Sequence, residues 1–279
     1  MSLDSSLLVI LTTLRALRLT AAMVLAGWLW QTDDKSGGRS QLALWAVALL
    51  AELSWFGAFT TDVMGAAPWS LGQDELRALM GIDLTQRWLL RLDLALALGL
   101  ALLADRRRLA GLLAVPWLAL LALEGHASAS GGWAGVLVRF AAMLHIVTAA
   151  FWVGGGLALA RVRLAAPAAR RICRSYGEIT LNAAILLLVS GGLQFLAIAG
   201  GTLGTVSPRY LLLSGAKLVL FAILVAIGAR NRYRLAPLLR RLPLETADAL
   251  AQSLLAATLL GVAAILLGSL LGGTDPGPP

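Results

Sequence analysis

Histidine and cysteine are almost missing from this chain: two of the first and one of the second among 279 residues. A single cysteine, Cys173, excludes an intramolecular disulfide and any metal cluster built on thiolates alone. Charge is sparse as well, at 14% of residues, and acidic groups number 15 against 23 basic ones. The sequence holds no CxxC, HExxH, P-loop or GxSxG pattern, so zinc-protease, nucleotide and serine-hydrolase chemistry have no support. No stretch is polar enough for a soluble domain. Any chemistry must therefore lie inside an apolar bundle or at its mouth, which favours transport or binding over an enzyme.

Apolar sequence is what the chain has in abundance, at 59% of residues with a positive mean hydropathy. That composition defines a multi-pass membrane protein of all-α class. Eight spans are expected, over residues 6–30, 41–64, 84–104, 109–125, 134–160, 179–199, 210–229 and 249–271. The third opens on Arg87, Arg91 and Asp93. The fourth is short and carries Pro116, which neighbouring spans can accommodate. The first segment lacks a small-residue cleavage site and contains Arg15 and Arg18, so it reads as a retained helix. Residues 272–279 form a short polar tail on what reads as a single membrane domain.

The net charge of +8 is not a nucleic-acid footprint, because the arginines sit in short segments between apolar runs. Arg106–Arg108, the five arginines from Arg161 to Arg174 and the five from Arg230 to Arg241 occupy alternate connections. Those connections are cytoplasmic by the positive-inside rule. Both termini are then expected in the periplasm of a bacterial inner membrane.

Polar residues inside spans are costly and point to function. Arg18, Glu52, Arg91, Asp93 and Lys217 form the expected buried charge network. Arg91 and Lys217 are expected to pair with carboxylates drawn from Glu52, Asp93 and Glu124, because an unpaired charge costs several kcal/mol. Neutral histidines differ, since imidazole binds a metal without a charge partner. His145 lies about eleven residues into the fifth span, roughly 16 Å down it. His126 follows Glu124 at the exit of the fourth span, so both imidazoles face one periplasmic vestibule, offset in depth by roughly 6–16 Å. Glu124, Asp62, Met64 and Met143 are secondary ligand candidates. Thioethers suit Cu(I), and imidazole with carboxylate suits Cu(II). Met143 points about 200° away from His145 on an ideal helix. Trp152, Gly154 and Gly155 follow His145 along the fifth span, where glycines allow close helix approach.

Several blocks taken together resemble the CopD family of bacterial copper-resistance membrane proteins. They are GHA at 125–127, LHIVTAAFWVGG at 144–155, YLLLSGAKLVLFAILVAIGARNRYRLAPLL at 210–239, and DLTQRWLLRL at 83–92. The resemblance implies an eight-span inner-membrane protein that handles copper, moves it from periplasm to cytoplasm and acts beside a periplasmic CopC-like protein. It places His126 and His145 at the family's histidines, and Trp152, Gly154 and Gly155 in its W-x-G-G. Three positions depart from the family. Ala142 stands where an Asp or His is common, Arg18 replaces a histidine, and Gln252 replaces an acidic residue. Two other readings compete. One is a b-haem or quinol-linked redox protein, which the depth offset of the two histidines disfavours. The other is a structural partner with no metal site.

Overall fold

The computed structural model describes residues 5–31, 37–124, 132–161, 167–200, 204, 206–239 and 243–277. The described elements are helical throughout. They are α1 (Ser5–Gln31), α2 (Gly38–Met64), a 3₁₀ turn (Pro68–Ser70), α3 (Gln73–Met80), α4 (Asp83–Leu103), α5 (Arg107–Ala122), α6 (Gly132–Ala160), α7 (Pro167–Ile198), α8 (Pro208–Arg230), α9 (Ala236–Leu238) and α10 (Pro243–Gly272). A π-helical turn over Asn231–Leu235 joins α8 to α9.

The ends follow local rules. Gly65 closes α2 in the left-handed conformation (φ 69°), its N–H donating to the Thr61 carbonyl at 3.0 Å. Asp105 takes the same role after α4 with φ 54°, and Arg106 N–H reaches back to Ala101 O at 2.7 Å. That six-to-one bond turns the chain straight into α5. Ser207 caps α8, with Pro208 in the first turn. Polar helix extends past the apolar core at two ends: α7 begins at Pro167 rather than near 179, and α10 at Pro243 rather than near 249. α3 is an additional helix between the second and third apolar segments. The Glu75 side chain accepts from the Gly72 N–H at 2.8 Å at its start.

Among the described residues, six helical stretches are long and apolar enough to cross a membrane: 6–31, 38–64, 132–160, 176–198, 208–238 and 245–272. α4 and α5 fall outside that group. α4 carries Arg87, Arg91 and Asp93, and α5 has 16 residues. Both nonetheless pack into the bundle, with Leu98, Ala110, Ala114, Trp117 and Leu118 fully buried.

α1 is the central post. It packs against α2, α5, α6 and α10, and Ala21–Ala26 are all buried, as expected of a helix surrounded by others. α6 is the second post and joins two cores. One core combines α1, α2, α4, α5 and α6 with Ile265 of α10; the other combines α6, α7, α8 and α10. α1 and α6 meet glycine to glycine. A Cβ on Gly27 would sit 2.8 Å from the Gly154 Cα and inside contact distance of the Ala150 carbonyl. α8 is peripheral, exposing Leu212, Leu218 and Val219.

Candidate functional site

The first polar centre is a closed ring of charge within the core of α1, α2, α4 and α5. Arg18 on α1 donates from Nη1 to Glu52 Oε2 at 3.0 Å and from Nη2 to Glu124 Oε2. Arg91 on α4 reaches Glu52 Oε1 from Nη2 at 2.9 Å and from Nε at 3.1 Å, and pairs through Nη1 with Glu124 Oε1. Each guanidinium thus bridges both carboxylates, and each carboxylate bridges both guanidiniums. Two positive and two negative charges close on themselves with no net charge. Arg18, Glu52 and Arg91 are at most 1% exposed and Glu124 is 8% exposed. Pairing of each charge with two opposite ones offsets the desolvation of four charges.

Aromatic rings wall the cluster. The Arg18 Cζ lies 4.2 Å from the Trp55 ring centroid and the Arg91 Cζ 5.9 Å, within cation–π range. Trp55 stacks on Phe59 at 5.5 Å, while Phe56 stacks on Trp88 at 3.6 Å. Arg15, one helical turn before Arg18, lies in electrostatic reach of Glu124. Its guanidinium occupies the space left by Gly272, where a Cβ would lie 2.7 Å from Cζ.

The second polar centre lies where α6 meets α7. His145 Nδ1 is 3.0 Å from Ser190 Oγ, and that hydroxyl is 2.6 Å from the Leu186 carbonyl. The serine proton points to the carbonyl, which can only accept. The serine oxygen is then free to accept from His145 Nδ1–H, and in that tautomer the lone pair lies on Nε2. Gly191 lets the ring lie against α7, since a Cβ there would stand 3.2 Å from His145 Cε1. Lys217 on α8 is the charge that bears on this imidazole. Its Nζ fits against Gly268 of α10, 3.2 Å from where a Cβ would lie.

These positions revise the expected charge network. Arg18, Glu52 and Arg91 come together, and the fourth member is Glu124. Asp93 is not a member: it is exposed on α4, because two residues along a helix turn it about 200° from Arg91. Lys217 is not a member either. Among the described residues it forms no ion pair, and Glu52 and Glu124 are already taken by the two arginines.

The expected ligand set is divided too. Glu124 commits both oxygens to guanidiniums, so it is not free to bind a metal. Asp62 and Met64 are half-buried near the end of α2, and Met143 is half-buried on α6. His126 lies outside the described residues. Among the described residues no three His, Cys, Asp or Glu side chains group so as to hold a metal. Trp152, Gly154 and Gly155 act as packing. The Trp152 carbonyl accepts from Tyr176 Oη at 2.6 Å, Gly154 faces α1, and Gly155 faces Tyr176 and Gln31. Ser190 was not read from the sequence, its only signal being the S-G-G run at 190–192; Glu124 was among the expected partners of Arg91, and its second pairing, with Arg18, was not read.

Long apolar helices around a buried, self-neutralised charge ring define a multi-pass helical membrane protein. Residues 3–136 match the family model for the copper resistance protein D-like N-terminal domain, and residues 170–271 match that for copper resistance protein D. The chain belongs to the CopD family of copper-resistance membrane proteins. No curated protein and no solved structure matches it.

Proposed function

We propose that this protein moves copper across the bacterial inner membrane, from periplasm towards cytoplasm, with His126 as the outer capture residue and His145 as the inner ligand. The observation that supports this reading is the hydrogen bonding of His145. With Nδ1–H donated to Ser190, Nε2 is the atom left to donate to copper, and metal-binding histidines are oriented in the same way. Copper entering an apolar bundle loses hydration, and a neutral imidazole replaces part of it without a second buried charge. The ring of Arg18, Glu52, Arg91 and Glu124 is then scaffold rather than path. A periplasmic CopC-like protein is the proposed donor of copper.

The test is copper accumulation and growth in copper by cells carrying single variants at matched membrane levels. His145→Ala is expected to abolish the copper-dependent phenotype while the protein still folds. His126→Ala should weaken apparent affinity and leave partial function, and Met143→Leu should be mild. Ser190→Ala should fall between wild type and His145→Ala, because it frees the ring without removing it. Wild-type behaviour of His145→Ala would leave only a structural role for that side chain. A haem absorbance band in the purified protein would instead support the redox reading.

The proposed topology has eight spans, counting α4 and α5, with both termini periplasmic. α5 is about 24 Å long at 1.5 Å per residue, short of the hydrocarbon thickness, so its span depends on neighbours and local thinning of the bilayer. Reporter fusions after Pro279 and near Arg170 should report opposite compartments. Agreement between the two fusions would rule out this arrangement.

A further inference from the structure

A cleft of about 440 Å³ opens where the first turns of α1 meet the start of α8 and the end of α10. Its walls combine two kinds of residue. Leu8, Val9 and Leu270 are apolar, whereas Arg209 and Asp275 bring one positive and one negative charge. Thr12 and Thr13, a turn further along α1, line it as well. The segment after α10 is fastened over one side. Ser207 N–H donates to the Pro276 carbonyl at 2.7 Å, Ser207 Oγ donates to the Asp275 carbonyl at 2.8 Å, and Gly277 N–H donates to Asp275 Oδ1 at 3.0 Å. Asp275 and Arg209 thus line the same cleft. No ion pair joins the two among the described residues, and both are exposed.

The position decides what such a cleft can take. It lies at the ends of three apolar helices, the level at which lipid headgroups meet acyl chains. Leu8 and Val9 belong to the first turn of α1 and Leu270 to the last turn of α10, so the apolar wall continues into the lipid-facing surface. An occupant that matches these walls has an apolar part and, with it, one anionic and one cationic group. We propose that this cleft is a binding site for the headgroup of a zwitterionic phospholipid carrying a primary ammonium, phosphatidylethanolamine. The phosphate pairs with the Arg209 guanidinium, the ammonium with the Asp275 carboxylate, and the acyl chains lie along Leu8, Val9 and Leu270. An anionic headgroup such as phosphatidylglycerol satisfies Arg209 but meets Asp275 with no cation, so the cleft discriminates between the two by charge.

The experiment uses the full chain reconstituted in vesicles of phosphatidylethanolamine and phosphatidylglycerol in equal amounts, then extracted in mild detergent. Native mass spectrometry counts the retained lipids. Wild type should retain one phosphatidylethanolamine in preference to phosphatidylglycerol. Arg209→Gln should reduce retention of both about tenfold, the size expected for loss of one charge-assisted bond. Asp275→Lys should reverse the preference towards phosphatidylglycerol. Val219→Leu, on the exposed face of α8, should leave the pattern unchanged and controls for general lipid carry-over. Equal retention of the two lipids by wild type, or an unaltered preference in Asp275→Lys, would overturn the assignment. So would loss of lipid in the Val219→Leu control to the same extent as in Arg209→Gln.

Discussion

Arg91→Met is expected to remove most of the folded protein from the membrane, and a second change at Glu52 is expected to bring part of it back. The guanidinium of Arg91 is fully buried and joins both carboxylates of the ring. Without it, Glu52 keeps only Arg18 as an ion-pair partner and shares that guanidinium with Glu124, which has Arg15 in electrostatic reach but not in contact. Breaking one side of a buried ion pair costs about 3–5 kcal/mol, comparable with much of a protein's net stability. Methionine preserves side-chain volume, so the loss measures charge rather than packing. Adding Glu52→Gln removes the carboxylate that lost most of its pairing, and leaves Arg18 paired with Glu124. The double variant should recover part of the monodisperse yield in size-exclusion chromatography and part of the thermal midpoint. Asp93→Asn is the matched control, and its exposed carboxylate should tolerate the change. If Asp93→Asn costs as much as Arg91→Met, or if Glu52→Gln makes the single variant worse, the closed ring is not what holds these helices together.

The second large effect should come from Gly27→Leu. At this point α1 and α6 approach backbone to backbone, with the Gly27 and Gly154 faces opposed. Even the first carbon of a side chain would lie 2.8 Å from the Gly154 Cα, with rigid backbone and no flexible chain end to move aside. The helices would have to separate. Because α6 joins the two cores, separation there loosens both. Overpacking a well-filled site costs about 1–3 kcal/mol and more where backbone must shift. Gly57→Leu on α2 provides the contrast, since a Cβ there meets nothing within 4 Å, and leucine is the better helix former by roughly 0.5–1 kcal/mol. Thermal unfolding of the two variants in the same detergent should therefore move in opposite directions. Similar destabilisation of both would mean that the α1–α6 crossing is looser than its geometry implies.

Much of this molecule is legible without coordinates. The eight apolar segments all become helices, because runs of leucine and alanine have no other way to satisfy their backbone in lipid. The arginine-rich connections alternate, and the blocks at 83–92, 125–127 and after Tyr210 fall within the family matches over residues 3–136 and 170–271, whereas the block around His145 lies between them. The exclusion of Asp93 was also within reach, as its separation of two residues from Arg91 places them on nearly opposite faces of one helix.

What each charge pairs with could be decided only by the folded bundle. Arg18, Glu52, Arg91 and Glu124 come from four separate parts of the chain, and their meeting depends on the depth and rotation of three helices and the turn after a fourth. Composition and spacing set neither, because hydropathy says that a helix crosses the membrane but not which way it faces once across. For the same reason Glu124 resembled a metal ligand in sequence, standing two residues before His126, and proved to be committed to two arginines. Ser190 was silent until α7 lay against α6 and its hydroxyl reached the imidazole. The sequence by itself determined that this is a helical membrane protein of the CopD family, since apolar length and local blocks are properties of single segments. Only the tertiary structure decided which buried groups neutralise one another and that Ser190 meets the His145 imidazole, because those are distances between segments far apart in the chain.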